Sequence, residues 1–530
     1  MSAHPFSRRD LLRGGRDLAT LLSLSSLAGV ESPLVTSAEA AQDTRRAAPD
    51  VYRSIGVKPV VNARGTFTII SGSLMLPEVR AAMDAAARQY VHLDELAEAL
   101  GARLATLTGA EWGLVTAGCS AALTHATAAC IAGGNPDLHV RIPNLAGFPK
   151  DEVIIPRHSR NVYDAAVRAV GARIIEVNSS AELEAALGPR TAMIYVLAGT
   201  AADQSAINLK AIAQIANPKG VPILVDAAAE ILTIPNVHIQ NGAALVGYSG
   251  GKCLRGPQTA GLLLGRKDLV RAAWVHSAPH HGPGRAMKVG KEEAIGMLTA
   301  VEMWVKRDHD AEWKQWMAWL DHISRRLTAI NGVTATITQP NGLSNRTPSL
   351  RLWWDPQRLG FSGETVARSL FETEPRVVLN PGRRPGPPVE TGVSVTPYMM
   401  SAGDEVIIAD RLHALLSSRT LRDAVVDTVA PAADLSGRWD VRIEYAAGSS
   451  THALHLRQKG NEIDGTHQGD FVARDLTGTI SGSDVRIRSN YGGGGDSLPY
   501  TFTGKLTGAE MAGELDMGEY LGAKWTARRR

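Results

Sequence analysis

The chain has 530 residues, of which 44% are hydrophobic and 21% charged, and its formal net charge is +3. This composition is that of a globular protein of roughly two to four domains, and it excludes disordered, collagen-like and disulfide-scaffold classes. Because Lys plus Arg (56) nearly balance Asp plus Glu (53), charge gives no reason to expect a nucleic acid or an anionic membrane as a partner.

The first 40 residues are typical of an export signal. Arg8 and Arg9 precede a short stretch rich in Leu and Ser, and Ala38-Glu39-Ala40 provides a small-residue cleavage pattern. This order resembles a twin-arginine signal, so we expect cleavage after Ala40 and a periplasmic or otherwise exported protein. The apolar run over residues 18–30 is too short to span a membrane.

Residues 51–300 alternate apolar segments with Ala- and Leu-rich helical stretches. This rhythm predicts a large α/β domain with a mostly parallel sheet, whose strands are covered on both faces. The predicted strands include Glu152–Ile155, Ala172–Val177, Ala192–Val196 and Pro222–Val225.

Residues 301–418 have a different pattern, which predicts a small α+β domain. A long helix is expected over Glu302–Leu327, and its Trp313, Trp316 and Trp319 are expected to form a buried or dimer-forming face. The remaining predicted elements are strands at Thr334–Thr338, Ser349–Trp353 and Val393–Thr396 and a helix at Glu405–Leu416.

The C-terminal region is predicted to be all β. A linker rich in Ala, Pro and Asp is expected over residues 419–434. Residues 435–530 then show short alternating segments, such as Trp439–Tyr445 and Ala453–Gln458, separated by turn signals that include Gly492–Gly495. This pattern indicates an antiparallel β sandwich or a small barrel.

An aspartate and a lysine in the large domain carry the main chemical signal. Asp226 ends the apolar strand that begins near Val221, and Lys252 follows Ser249-Gly250-Gly251 in a glycine-rich turn. In parallel α/β sheets, ligands bind at the carboxyl ends of strands. Such a pair suits pyridoxal phosphate, because the lysine can form a Schiff base and the aspartate can keep the pyridine nitrogen protonated.

Two further features are compatible with this cofactor. The turn Gly118-Cys119-Ser120 opens an Ala-rich helix, where backbone amides can bind a phosphate. His158 follows a predicted strand, and its ring can stack on the pyridine face, although a histidine there can also simply cap a helix. Cys119, Cys130 and Cys253 have no Cys-x-x-Cys spacing and are predicted to be buried thiols.

Several motifs together resemble fold type I pyridoxal-phosphate enzymes, in the group that contains bacterial selenocysteine synthase (L-seryl-tRNA selenium transferase) and D-glucosaminate-6-phosphate ammonia-lyase. The resemblance covers roughly residues 52–416. Its motifs are Asn62–Thr66, Val115–Ala122, Val225–Ala227, Ser249–Lys252, Arg255–Gln258 and Gly284–Glu293.

The resemblance implies a role for each of the residues above. Lys252 would carry the cofactor, Asp226 would face the pyridine nitrogen, and His158 would lie over the ring. Residues Gly118, Cys119 and Ser120 would hold the phosphate, and Ser249 is counted with them as cofactor-binding. Fold type I also implies a homodimer or a higher oligomer, with sites at the subunit interface.

Substrate carboxylate or phosphate groups call for arginines, whose planar fork binds oxyanions in pairs. The candidates are Arg64, Arg255, Arg285 and Arg351, each of which could instead be a salt-bridge partner. His280 and His281 have no carboxylate at ligand spacing, so no metal site is predicted there.

The sequence therefore predicts an exported pyridoxal-phosphate-dependent lyase that acts by α,β-elimination on an amino acid or amino-sugar acid. Ahead of residue 51 only the signal is recognised, which argues against a tRNA substrate and therefore against selenium transfer. The first alternative is a transferase that adds a nucleophile to the same aminoacrylate. The second is a non-catalytic binding protein on the same fold.

Overall fold

A computed structural model describes residues 50–387, 389–418, 420–423, 429–493 and 496–530. The predicted export signal lies outside the described residues, as do part of the predicted linker and Gly494–Gly495 of the predicted glycine turn. The chain divides into two compact units. Within the first, Met1–Pro59, the described residues contain a 3-10 turn at Arg53–Ile55. All elements below belong to the second unit, Val60–Arg530.

The strands up to residue 265 supply the central sheet of the large domain. They are β1 (Val61–Asn62), β2 (Trp112–Thr116), β3 (Glu152–Pro156), β4 (Arg173–Val177), β5 (Thr191–Leu197), β6 (Ile223–Asp226), β7 (Leu245–Ser249) and β8 (Gly261–Gly265). Seven of them form one sheet in the order β2-β8-β7-β6-β5-β3-β4, in which β8 is antiparallel to both neighbours and the other pairs are parallel. The predicted mostly parallel sheet is therefore confirmed.

Helices cover both faces of this sheet. They are α1 (Pro77–Ala86), α2 (Leu93–Thr108), α3 (Gly118–Ala132), α4 (Pro136–His139), α5 (Ala165–Arg168), α6 (Ser180–Ala186), α7 (Thr200–Asp203), α8 (Leu209–Ala216), α9 (Val237–Gln240) and α10 (Lys267–Val275). Alternate residues of one strand enter different cores: Ile154 packs in one, whereas Val153 and Ile155 pack in the other. Because both faces are buried, these strands are apolar at nearly every position.

The next region has a second, smaller sheet. Its elements are helices α11 (Lys291–Lys306), α12 (His309–Thr328), α13 (Pro356–Leu359), α14 (Gly363–Glu372) and α15 (Asp404–Leu416), and strands β9 (Val333–Thr338), β10 (Ser349–Trp354), β11 (Val377–Val378), β12 (Asn380–Arg384) and β13 (Glu390–Val395). Four strands form an antiparallel sheet in the order β12-β13-β10-β9, and β11 pairs with β1. Its core includes Leu320, Leu352 and Ile408, contributed by α12, β10 and α15.

The long helix predicted over Glu302–Leu327 is wrong, because two helices occupy this region. Arg307 is extended (ψ 141°) and ends α11. Asp308 then caps α12 by accepting a hydrogen bond from the backbone N–H of Ala311 at 2.9 Å. A capping aspartate satisfies an amide that a continuous helix would have bonded to a carbonyl, so the chain starts a new helix there.

The C-terminal region is a closed antiparallel barrel. Its strands are β14 (Gly437–Glu444), β15 (Ser449–Lys459), β16 (Glu462–Gln468), β17 (Ala473–Ser481), β18 (Asp484–Gly493), β19 (Asp496–Thr507), β20 (Glu510–Asp516) and β21 (Gly522–Arg529). Inward residues alternate with exposed ones, and Trp439, Leu454, Phe502 and Trp525 lie in its core. Of the two predicted all-β architectures, the structure is the barrel.

The predicted linker is bonded at both ends where it is described. The carboxylate of Asp423 accepts hydrogen bonds from the backbone N–H and hydroxyl of Ser362, and Ala432 donates its N–H to the Gly482 carbonyl of the barrel. Across the described ranges, no helix combines the length and the apolar character needed to cross a lipid bilayer.

Candidate active site

Asp226 is a buried carboxylate at the carboxyl end of β6, with a relative exposure of 2%. The hydroxyl of Tyr195 donates to Oδ2 at 2.9 Å, and the backbone N–H of Ala228 donates to Oδ1 at 3.1 Å. The thiol of Cys119 lies 3.6 Å from Oδ1. The carboxylate is therefore held by three donors, which come from strand β5, the turn after β6 and the helix α3.

The proton affinity of Asp226 is set by opposing influences. Burial raises the pKa of Asp226, whereas the hydrogen bonds from Ala228 and Tyr195 and the positive charge of Lys252 lower it. A further cation against this carboxylate would favour its ionised form. The site is thus suited to a ligand that presents a positively charged nitrogen.

Lys252 lies in a tightly packed turn after β7. A Cβ on Gly250 would come within 2.7 Å of both the Ala260 carbonyl and the Met297 sulfur, so only glycine allows the turn to pass there. Besides acting on Asp226, the charge of Lys252 lowers the pKa of Cys119, which burial raises well above its usual value. Lys252, Asp226 and Cys119 therefore belong to one cluster, in which the thiol of Cys119, predicted to hold a phosphate, lies against the Asp226 carboxylate.

The Gly118–Ser120 turn lies at the N-terminus of α3, next to this cluster. Gly118 has a φ of 82°, which favours glycine, and a Cβ on Gly261 would lie 2.3 Å from the Gly118 carbonyl carbon. No side chain among the described residues caps this helix, while Ser120 is exposed and Cys119 is buried. The first amides of a 15-residue helix thus remain available for an anion.

His158 lies on a short 3-10 turn, Arg157–Ser159, directly after β3. Its Nε2 is 3.3 Å from the Ile207 carbonyl and its Nδ1 is 3.0 Å from the Ser159 hydroxyl, which fixes the ring. The same hydroxyl accepts from the N–H of Leu197, the residue that pairs with Asp226 in the sheet. Burial lowers the pKa of His158, which favours the neutral ring.

The predicted substrate arginines are spread over several places. Arg64 has a buried Nε without a partner among the described residues, and its guanidinium lies 4.2 Å from the Phe67 ring centroid. Arg285 is exposed, and Arg351 is on the face of β10 opposite the buried Leu350 and Leu352. No described contact joins Arg285 or Arg351 to the Lys252 cluster.

Arg255 lines a separate cavity of about 1020 Å³. The same cavity is lined by Arg307 and Arg346 and by the predicted tryptophan face, whose members are Trp313, Trp316 and Trp319. The tryptophans are half-buried rather than fully buried. Lys252 and Asp226 are not among the lining residues, although Cys253 is. Arg255 lines this cavity, and its Nε donates to the Leu74 carbonyl at 3.1 Å.

Sequence reasoning missed Tyr195 and Asn161. Tyr195 is fully buried in β5, and its hydroxyl accepts from the Asn161 amide at 3.0 Å while it donates to Asp226. A tyrosine inside an otherwise apolar buried strand was the available signal, because a buried hydroxyl needs a partner. The two residues form a second layer that orients the carboxylate.

No protein-family model matches the chain. D-glucosaminate-6-phosphate ammonia lyase from Salmonella typhimurium is 30% identical over 375 residues, which cover 69% of this chain and 97% of that protein. A 5'-C-glycyluridine monooxygenase-decarboxylase from a Streptomyces species is 32% identical over 378 residues, covering 69% and 92% of the two chains. An L-seryl-tRNA(Sec) selenium transferase from Moorella thermoacetica is 25% identical, covering 61% and 75%.

The solved structure of a D-glucosaminate-6-phosphate ammonia-lyase matches with a TM-score of 0.61 and 29% identity. The match covers 70% of this chain and 98% of that one. The relationship extends over nearly the whole length of the ammonia lyase, in sequence and in fold. The chain therefore belongs to the fold type I pyridoxal-phosphate-dependent enzymes, in the group that includes D-glucosaminate-6-phosphate ammonia lyase, and it is an enzyme of the lyase type.

Proposed function

We propose that this chain binds pyridoxal phosphate and eliminates a β substituent from an amino acid or amino-sugar acid, with release of ammonia, outside the cytoplasm. The cluster of Lys252 with the buried, triply hydrogen-bonded Asp226 carries this proposal. The 30% identity to an ammonia lyase supports the type of reaction.

The residues present fit the cofactor. Lys252 would bind it covalently, and Asp226 would face its ring nitrogen. Burial raises the pKa of Asp226, and a positively charged ring nitrogen would favour its ionised form. The uncapped start of α3 at Gly118–Ser120 would bind its phosphate. Ser249, at the end of β7, pairs with Gly261, whose Cβ position lies against the same turn. His158 would lie over the ring face.

When bound, pyridoxal phosphate supplies an electron sink for the charge that develops at the substrate Cα. The amine of Lys252 takes the Cα proton and can return a proton to the departing group. Loss of that proton and of the Cβ substituent forms a Cα–Cβ double bond. Hydrolysis of the resulting enamine consumes one water and gives a keto acid and ammonia. Hydrogen bonds from Tyr195 and the Ala228 amide would hold the Asp226 carboxylate in place and favour its ionised form.

The first experiment tests the cofactor. The purified protein should show a visible absorption band that borohydride removes, and mass spectrometry should then locate a reduced adduct on the peptide containing Lys252. Lys252→Ala should lose both signals, whereas Lys210→Ala, an exposed lysine on α8, should keep them. Absence of the band after addition of pyridoxal phosphate would leave the binding-protein alternative.

The second experiment identifies the reaction. A screen of amino acids and amino-sugar acids should yield keto acid and ammonia in equal amounts. The Streptomyces relative is named a decarboxylase, so carbon dioxide should be measured in the same assays. Carbon dioxide release would replace elimination by decarboxylation, and a product that contains an added nucleophile, without ammonia, would indicate a transferase.

Export is proposed from the N-terminal sequence and is tested separately. Replacing Arg8 and Arg9 together by lysine should keep the precursor in the cytoplasm, and wild-type protein recovered outside it should begin at Ala41. A wild-type protein found only in the cytoplasm would contradict this part of the proposal. We also propose a homodimer, which light scattering on the purified protein would test.

A further inference from the structure

The imidazole of His158 is held at both of its nitrogens. Ser159 is fully buried, and its hydroxyl lies 3.0 Å from Nδ1 of His158. The same hydroxyl accepts a hydrogen bond from the backbone N–H of Leu197 at 3.0 Å. The second ring nitrogen, Nε2, is 3.3 Å from the Ile207 carbonyl. A buried hydroxyl and a backbone carbonyl therefore determine where the hydrogen of this ring lies.

One arrangement of hydrogens satisfies all of these contacts. A backbone carbonyl can only accept, so Nε2 must carry a hydrogen in order to bond to Ile207. The Ser159 hydroxyl has a single hydrogen, and its contact with the N–H of Leu197 uses a lone pair of the oxygen instead. Among the described residues, Nδ1 of His158 is the acceptor that this hydrogen can reach. The ring is therefore neutral, with a hydrogen on Nε2 and a bonded lone pair on Nδ1.

The other two states of the ring leave polar groups unpaired. With the hydrogen on Nδ1 instead, the lone pair of Nε2 would face the lone pairs of the Ile207 carbonyl. With hydrogens on both nitrogens, the buried Ser159 hydroxyl would have no described acceptor for its own hydrogen, which is costly inside a protein. Burial also lowers the pKa of His158, which opposes the doubly protonated ring.

The segment that holds the ring is also connected to Asp226. The side-chain amide of Asn161 donates to the Ser159 carbonyl at 2.8 Å and to the Tyr195 hydroxyl at 3.0 Å. That hydroxyl in turn donates to Asp226 at 2.9 Å. Leu197, whose N–H bonds to the Ser159 hydroxyl, pairs with Asp226 in the sheet. Hydrogen bonds therefore fix the position of the histidine relative to the carboxylate.

We propose that Ser159 is a positioning residue that holds His158 as the neutral ring with its hydrogen on Nε2, so that this histidine contributes its face and transfers no proton. One ring nitrogen is occupied as an acceptor and the other as a donor, so neither is free for a substrate atom. Lys252 is then the group that moves the proton at the substrate Cα. The role of Lys252 rests on the proposed function, whereas the state of the ring does not.

Nuclear magnetic resonance of the full chain, labelled with nitrogen-15 at histidine, tests the state of the ring at neutral pH. Wild type should show His158 with its hydrogen on Nε2, and the signals of this residue are identified by their absence in His158→Phe. Ser159→Ala should give a mixture of the two neutral forms, because Nδ1 loses its donor. The matched control is Ser180→Ala, an exposed serine at the start of α6, which should keep the wild-type signals.

Cofactor affinity is a second readout, measured by absorbance during titration with pyridoxal phosphate. Ser159→Ala should bind about fivefold more weakly than wild type, the factor that one hydrogen bond of ordinary strength contributes. With a substrate found by the screen above and saturating cofactor, exchange of the Cα hydrogen for solvent deuterium should persist in His158→Phe and be lost in Lys252→Ala. Loss of exchange in both variants would overturn the claim that the histidine transfers no proton.

A wild-type ring with its hydrogen on Nδ1, or with hydrogens on both nitrogens, would overturn the proposal. So would the wild-type ring form in Ser159→Ala that near-ultraviolet circular dichroism shows to be folded. The wild-type spectrum decides the state of the ring by itself, so a folding defect in the variant would not remove the test. Failure of wild type to bind pyridoxal phosphate would contradict the proposed function and leave the assignment of the ring in place.

Discussion

At the scale of single residues, the hydrogen-bond donors around Asp226 influence whether this carboxyl is ionised. Each donor that bonds to the carboxylate lowers a pKa that burial raises. Tyr195 supplies a 2.9 Å bond from the neighbouring strand β5. The pKa of Asp226 therefore depends on a tyrosine that does not need to touch the substrate.

Tyr195→Phe should move the acid limb of the rate–pH profile to higher pH. Losing the hydroxyl removes an influence that lowers the pKa of Asp226, so the carboxyl stays protonated up to a higher pH. We expect roughly a tenfold loss of kcat/KM, as for a hydrogen bond to a charged group of about 1.5 kcal/mol. The profile is measured for the variant and for Tyr163→Phe, whose side chain is 61% exposed. Superimposable profiles would show that Tyr195 does not tune the carboxylate.

The proximity of Asp226 and Lys252 was predictable. Asp226 ends β6 and Lys252 follows β7, and these two parallel strands end at the same edge of the sheet. The hydrogen bond from Tyr195 to Asp226 was not predictable. Tyr195 lies on β5, and the order of strands in the sheet, which places β5 beside β6, is a property of the tertiary structure. The same holds for Arg255, which was predicted as a substrate-binding arginine and lines a cavity whose lining does not include Lys252 or Asp226.

At the scale of elements, two glycines bring the start of α3 against the start of β8. Gly118 begins the helix with a positive φ, and Gly261 leaves room for its backbone. The Gly118 turn can approach the rest of the cluster only because residue 261 has no side chain.

Gly261→Ala should displace the Gly118 turn, because the new Cβ would be placed 2.3 Å from its carbonyl carbon. We expect a loss of about 1–3 kcal/mol in the free energy of unfolding, the range for overpacking a dense site. The affinity for pyridoxal phosphate should fall as well. Both quantities are compared with Gly188→Ala, where a Cβ meets open space. Wild-type affinity in Gly261→Ala would mean that the turn does not hold the phosphate.

Asp308→Ala should weaken the boundary between α11 and α12. The side chain accepts from the Ala311 N–H, and loss of such a cap costs about 1 kcal/mol. Urea unfolding measures the change, with the exposed mid-helix Asp321→Ala as the reference. Equal stability of the two variants would contradict the capping role.

The sequence signal for this boundary was present but ambiguous. Apolar residues recur at helical spacing on both sides of Arg307 and Asp308, so periodicity alone favours one continuous helix. An aspartate inside such a pattern can be a surface residue of one helix or the cap of a second helix. The extended backbone of Arg307 shows that Asp308 is a cap. Strand β12 was missed for a similar reason, because Pro381 and Gly382 disfavour a strand until β13 pairs with it.

At the scale of the whole molecule, several buried histidines link stability to pH. Burial lowers the pKa of His125 and His276 to about 4 and that of His467 to about 3. In the unfolded chain these groups take up a proton near the ordinary histidine value of about 6.5. The folded state resists this protonation, so stability is lost as the pH falls below about 6.5.

His467→Gln should reduce the loss of barrel stability on acidification. Wild type should unfold at progressively lower temperature as the pH falls from about 6.5 towards about 3, because the unfolded chain binds the proton that folded His467 refuses. The variant should start from a lower stability at neutral pH, since Ser489 and His452 lose their partner, and should then fall less steeply. His455→Gln, an exposed histidine on β15, should keep the wild-type slope.

The three regions of the chain are distinguishable in the sequence, because apolar runs alternate with helical stretches in the first, a long helical pattern opens the second, and short alternating segments fill the third. Closure of the last region is different: a sandwich and a barrel share the same alternation along every strand. The distinction lies in whether β14 pairs with β21, a contact between the beginning and the end of the region. No local pattern encodes that pairing.

That pairing has a practical consequence for engineering the chain. Trp439 on β14 is opposite Arg529 on β21, so the two termini of the barrel run side by side. A short peptide could join them, and new ends could be opened in the turn at Ser481–Asp484 to give a circular permutant with the same strand order. The barrel could equally be spliced into a surface loop of another protein through its adjacent ends, as a transferable domain.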